Sequence, residues 1–176
     1  MKTNIALIGF MGTGKSAVGR ALAEKLGRQF VEMDRLIEEM AGKSIPEIFQ
    51  QDGEIAFREM EIKVTKRVAQ GTGQVIACGG GMVLNQINTD RLRETSRMVY
   101  LKASPRIILE RTSVDANERP LLDVPDLIQR IRELLDFRKP FYQRSADITI
   151  NTSRLSIDKV ADLIISRLKE DEGFNL

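Results

Sequence analysis

Apolar positions along the chain fall into short buried runs that alternate with stripes at helical spacing. The run from Asn4 to Ile8 predicts a strand buried on both faces. Ser16 to Leu26 predicts a helix closed by Gly27, and Gln29 to Met33 a short strand. Arg35 to Met40 predicts a helix that stops near Gly42. Ser44-Ile45-Pro46-Glu47 matches a capping box with proline in the first turn, so another helix starts there. Ile55 to Ala69 predicts a longer helix. Gln74 to Cys78 is a β-branched strand that runs into Gly79-Gly80-Gly81. Met98 to Lys102 predicts a strand and Pro105 to Arg111 a helix. Leu127, Ile128, Ile131, Leu134 and Leu135 share one helical face, and Arg138, just ahead of Pro140, Phe141 and Tyr142, ends that helix. Asp147 to Ile150 is the last strand. Ile157, Val160, Ala161, Ile164 and Leu168 mark a closing amphipathic helix.

Strands alternating with helices imply a parallel sheet covered on both faces, here a three-layer α/β/α fold with a central five-stranded sheet. A chain of 176 residues fits one domain, residues 1–176. Such sheets bind ligands beyond the carboxyl ends of their strands. The Gly9 loop, Asp34 and the Gly79 run all follow predicted strands, so they meet on one edge of the sheet. The segment 112–126 lacks periodicity and carries Arg119 with two prolines, which suits a lid.

Composition removes several chemistries. The chain has no histidine, which excludes histidine bases, triads and metal ligands. Acid–base work must fall to carboxylates, lysine, tyrosine or the one cysteine, Cys78. With a single cysteine no internal disulfide forms, which fits a reducing cytoplasm. The apolar stretch Ile5 to Gly12 is too short to span a bilayer and no membrane role is expected. The net charge of +2 gives no support for binding nucleic acid. The cations divide into 17 Arg and 10 Lys, ten of the arginines lying between Arg91 and Arg144, and arginine is the residue whose planar fork matches carboxylate and phosphate.

Gly9-Phe10-Met11-Gly12-Thr13-Gly14-Lys15-Ser16 matches G-x-x-x-x-G-K-[ST] between a predicted strand and a predicted helix. Its backbone N–H groups and the positive end of the helix cradle phosphate oxygens. Lys15 reaches the β- and γ-phosphates and Ser16 ligates Mg²⁺. Glu32-Met33-Asp34 follows the second strand, where carboxylates at i and i+2 of an extended chain point the same way. One serves the Mg²⁺ water shell and the other a substrate. Arg58 and Glu61 are an i,i+3 pair, worth little if it lies on the surface. Gly79-Gly80-Gly81 lets another group approach the backbone closely.

The ordered set of P-loop, Asp34, Phe57-Arg58, Gly79-Gly80-Gly81, Arg119-Pro120-Leu121-Leu122 and Arg138 ahead of Tyr142 resembles the shikimate kinase family, within the P-loop nucleoside-monophosphate-kinase group of folds. The resemblance runs from about Asn4 to Leu168. It implies an ATP-dependent phosphoryl transfer to the 3-hydroxyl of shikimate, in aromatic amino-acid biosynthesis. It implies a substrate subdomain near 34–61 and a lid near 112–126. Carried over by position, Gly12, Thr13, Gly14, Lys15, Ser16 and Ala17 hold the ATP phosphates. Asp34, Arg58, Gly79, Gly80, Gly81 and Arg138 face shikimate, and Lys15, Asp34 and Arg119 are the catalytic set. Arg111 resembles the family arginine that stacks on adenine, with Arg154 near it. Ser16 binds Mg²⁺, with Glu32 reaching its water shell. Members usually carry Asp-x-Asp where this chain has Glu32-Met33-Asp34, so the metal geometry is where it departs. Similar enzymes are commonly monomers.

Two other readings stay open on the residues alone, while a nucleoside-monophosphate kinase acting on AMP is disfavoured because it needs room and contacts for a second base. One is a kinase for another small polyol acid, such as gluconate. The other is a nucleotide-dependent switch module with no small substrate, whose slow turnover shikimate would not accelerate.

Overall fold

The structure, a computed structural model, describes residues 1–112 and 126–176. Its elements in chain order are β1 (Asn4–Ile8), α1 (Lys15–Leu26), β2 (Gln29–Glu32), α2 (Met33–Ala41), α3 (Ile45–Gln51), α4 (Gly53–Val68) and β3 (Gln74–Ala77). A 3₁₀ turn (Met82–Leu84) follows, then α5 (Gln86–Thr95), β4 (Ser96–Lys102), α6 (Pro105–Thr112), α7 (Leu127–Ser145), β5 (Ile148–Asn151) and α8 (Ile157–Lys169). The five strands lie in the order β2-β3-β1-β4-β5, and every neighbouring pair is parallel.

β1 is central, and every one of its residues is buried. The period of two along a strand divides its side chains between two cores. Ile5 and Leu7 join Val18 and Leu22 of α1 and Val160, Ile164 and Leu168 of α8. Ala6 and Ile8 join Ile37 of α2, Ile48 of α3, Phe57 of α4 and Tyr142 of α7 on the opposite face. This is the expected three-layer α/β/α arrangement, and it aims the carboxyl ends of all five strands the same way.

Several expectations change at element ends. β2 stops at Glu32, because Met33, fully buried, already belongs to α2. Asp34 therefore sits in the first turn of a helix, and the alternation argument that paired it with Glu32 does not apply. α7 does not end at Arg138 but runs through Pro140 to Ser145. Proline removes one intrahelical bond. The helix is carried past it by the burial of Arg138, Tyr142 and Ser145, with the Tyr142 ring stacked on Tyr100 at 4.9 Å. Ile157 opens α8 but is 48% exposed, outside the buried stripe. Of the expected lid, Thr112 is the buried last residue of α6 and Asp126 caps α7. Arg119, Pro120, Leu121 and Leu122 lie outside the described residues.

Candidate active site

A cleft of about 980 Å³ opens beyond the carboxyl ends of β1, β2 and β3. One wall is the loop from Gly9 to Gly14, leading into α1. Gly12 holds φ +73° there, and a Cβ would lie 2.8 Å from Thr112 Cγ2, so glycine is required on both counts. Lys15 Nζ donates to the carbonyls of Gly9 at 2.8 Å and Phe10 at 2.9 Å, which keeps the ammonium over the loop. Thr13 turns its side chain inward, where Oγ1 donates to the Phe10 carbonyl at 2.7 Å. Gly12, Gly14, Lys15, Ser16 and Ala17 line the cleft and Thr13 does not.

Arg111 of α6 braces this wall from behind. Its Nη1 donates to the Gly12 carbonyl at 3.2 Å and to Thr152 Oγ1 at 3.3 Å, and its Nη2 to the Thr152 carbonyl at 3.2 Å. Thr152, just after β5, donates in turn to the Thr13 carbonyl at 3.0 Å. Arg111 reaches the cleft; Arg154, exposed in the next turn, does not line it.

The opposite wall is made of side chains from several elements, gathered at Gly79-Gly80-Gly81. A Cβ at Gly79 would lie 3.0 Å from Asp34 Oδ1 and 3.1 Å from Glu61 Oε2. A Cβ at Gly81 would lie 2.5 Å from Arg58 Nη2, and one at Gly80 3.8 Å from Arg138 Nη1 and 3.5 Å from the Met11 nitrogen. The bare backbone is thus what lets two carboxylates and two guanidinium groups converge beside the P-loop. α3 supports this wall: the Ser44–Glu47 capping box forms as expected, and Phe49 packs on Phe57 with ring centroids 4.9 Å apart.

Arg58 and Glu61 are not the surface pair considered from spacing. Glu61 is 1% exposed, and Arg58 Nη1 donates to both its oxygens at 3.1 and 3.2 Å. Arg58 Nη2 reaches Glu54 at 3.1 Å. Burial holds the Glu61 carboxyl above its ordinary value of 4.5; Arg58 and Arg138 oppose that shift and Asp34 adds to it. The signal was present in the sequence. Phe57, Glu61, Val64, Thr65 and Val68 are the buried residues of α4, at helical spacing, so Glu61 stands in a core stripe where a carboxylate needs a partner.

Arg138 is 3% exposed, and its Nε has no hydrogen-bond partner among the described residues. Its guanidinium lies over the Phe10 ring at 5.5 Å, which ties this wall to the P-loop. Burial pushes the Tyr142 phenol and the Cys78 thiol far up, and the Tyr142 hydroxyl donates to the Gly80 carbonyl. Both therefore stay protonated, which leaves carboxylates and Lys15 for proton handling in the cleft.

Between the walls, the Ser16 hydroxyl donates to Glu32 Oε1. A hydroxyl and a carboxylate are hard oxygen donors suited to Mg²⁺, and among the described residues no cluster of three or more His, Cys, Asp or Glu offers an all-protein cage. The donor set fits a cation shared with phosphates and water. Among the described residues no helix is long and apolar enough to cross a membrane.

This fold, with a phosphate-binding loop facing a guanidinium-lined pocket, defines a P-loop small-molecule kinase. The family model for shikimate kinase matches residues 11–169, and the chain belongs to the shikimate kinase family. It is 45% identical over 168 residues to the shikimate kinase of Symbiobacterium thermophilum, covering 95% of this chain and 97% of that one. It is 46% identical over 162 residues to that of Caldanaerobacter subterraneus subsp. tengcongensis, covering 92% and 94%. The shikimate kinase of Acinetobacter baumannii, solved in complex with shikimate, superposes with a TM-score of 0.93 at 38% identity, over 98% of this chain and 96% of that one.

Proposed function

We propose that this chain transfers the γ-phosphoryl group of ATP to the 3-hydroxyl of shikimate, giving shikimate 3-phosphate and ADP. The observation that carries this reading is one cleft lined by Lys15 on one side and by Arg58 and Arg138 on the other. A guanidinium buried to 3% exposure with its Nε unpartnered among the described residues calls for an anion, and a small carboxylate of shikimate's size suits Arg138 with Arg58, already braced by Glu61 and Glu54, beside it. Arg58 and Arg138 hold the carboxylate, while Asp34 accepts from the ring hydroxyls and orients the attacking oxygen beside Gly79, Gly80 and Gly81. Gly12, Thr13, Gly14, Lys15, Ser16 and Ala17 hold the phosphates, the backbone of Thr13 serving although its side chain is turned away. Arg111 and Arg154 are assigned to the adenine side, and Arg119, outside the described residues, to charge neutralisation on the transferring phosphoryl group. Residues 34–61 form the shikimate subdomain of a single domain spanning 1–176.

Phosphoryl transfer asks mostly for positioning and charge stabilisation. Ser16, with Glu32 toward the water shell, would hold Mg²⁺, which would supply neutralisation of phosphate charge. Lys15 adds a second positive charge on the transferring group. The enzyme is read as a cytoplasmic monomer acting on ATP and shikimate, with no nucleic acid or membrane partner.

A coupled ADP assay run with shikimate, gluconate and AMP in turn tests the reading. ADP formation should rise steeply with shikimate alone. Faster turnover with gluconate would point to another polyol acid, and turnover indifferent to all three would point to a switch module.

A further inference from the structure

Glu32 ends β2, and its carboxylate is gripped at both oxygens. Oε1 accepts from the Ser16 hydroxyl, and Oε2 accepts from Arg20 Nη2 at 2.9 Å. Ser16 and Arg20 are i and i+4 on α1, so they share a helix face and the carboxylate bridges them. Arg20 is fixed in turn by the Phe30 ring, whose centroid lies 5.3 Å from the guanidinium carbon. Phe30 packs so tightly on α1 that a Cβ at Gly19 would come within 2.5 Å of the ring. Phe30 and Glu32 are i and i+2 on the edge strand, so they project to the same side. Ring, guanidinium, carboxylate and hydroxyl form one row from the sheet edge to the mouth of the P-loop.

As a stabilising ion pair this contact does little, since the Arg20 side chain is 62% exposed and that of Glu32 25%. Its geometry has another consequence. A glutamate carries one more torsion than an aspartate between backbone and carboxylate, and an unrestrained one sweeps through many positions. We propose that Arg20 is a positioning residue for the cation site: by holding Oε2 it keeps Oε1 of Glu32 turned to Ser16. This rests on the reading that Ser16 and Glu32 face the divalent cation. Ser16 would hold a bound cation through an oxygen lone pair and keep its proton, so it would remain a donor to Glu32 while Arg20 fixes the other oxygen. The clamp accounts for how a longer acid serves where the family usually has aspartate.

The test uses Mn²⁺ as the probe, its free concentration read by electron paramagnetic resonance on the full chain with ADP. Arg20→Met keeps the stem over Phe30 and removes the charge. It should weaken Mn²⁺ binding to the ADP complex about 10-fold, as loss of a partner behind a metal ligand does, while ADP affinity without metal and shikimate affinity stay unchanged. Arg20→Lys should lose less. Adding Arg20→Met to Glu32→Gln should cost nothing further, because the clamp has nothing left to hold. Wild-type Mn²⁺ affinity in Arg20→Met, or full additivity in the double variant, overturns the proposal. If Glu32→Gln itself leaves Mn²⁺ binding unchanged, the cation-site reading fails and the clamp with it. If Glu32→Gln weakens binding and Arg20→Met does not, the clamp alone fails.

Discussion

The two walls of the cleft are built by opposite means. The nucleotide wall comes from one continuous stretch, Gly9 to Ala17, and offers mainly backbone N–H groups and a helix end. The acceptor wall draws Asp34 from α2, Arg58 and Glu61 from α4, the glycines after β3 and Arg138 from α7, and it offers charged side chains. A backbone site tolerates varied side chains but not an added Cβ at its turns. A side-chain site fails when one charge leaves, because its buried partners then lose their counterions. Phe10 under Arg138 is a point where the two walls touch.

The largest expected effect is on the nucleotide wall. Lys15→Met should lower kcat about 10³-fold, by removing a charge aimed at the transferring group, with shikimate affinity kept in a direct titration. On the acceptor wall, Arg138→Ala should weaken shikimate binding by about 10- to 100-fold, the value of charge-assisted hydrogen bonds, with ATP affinity kept.

Next come two glycines that sharpen the contrast. Gly12→Ala meets both a positive φ and Thr112, so it should cost ATP affinity about 10-fold and leave shikimate alone. Gly81→Ala would press on the Arg58 guanidinium, the far end of a flexible side chain. The fold should survive, and isothermal titration should find shikimate weakened about 10-fold with ATP unchanged.

The smallest effect is a pH dependence. The folded value of Glu61 is raised above its ordinary 4.5 by burial, so its titration lowers stability progressively as pH climbs from there through the folded value. Arg58 limits that loss. In Arg58→Ala the folded value rises further, and the melting temperature should fall behind wild type by more at about pH 8 than at about pH 5. An equal gap at both pH values would mean that Arg58 does not shield Glu61.

The same contrast governs what the sequence made legible. β1, the P-loop and α1 follow from local rules, and their bounds match to within a residue. The acceptor wall was legible as a set of residue types but not as a geometry. Periodicity could not separate Met33 from β2, since a buried methionine suits either element. Pro140 read as a helix stop because the buried face that carries α7 past it is a tertiary fact. α5 went unread because Leu92 is its one buried aliphatic residue, with Asn88 and Thr89 beside it. Arg111 was found by resemblance, whereas its partner Thr152 gave no local signal, since their bond joins distant segments. Glu61 was readable from its place in the apolar stripe, a more telling position than its spacing from Arg58.

The central claim is that one cleft joins two separable sites, and paired titrations of ATP and shikimate against Arg138→Ala and Lys15→Met test it most directly. The account predicts that Arg138→Ala loses shikimate and keeps ATP, while Lys15→Met keeps shikimate. Equal loss of both ligands in both folded variants would contradict it.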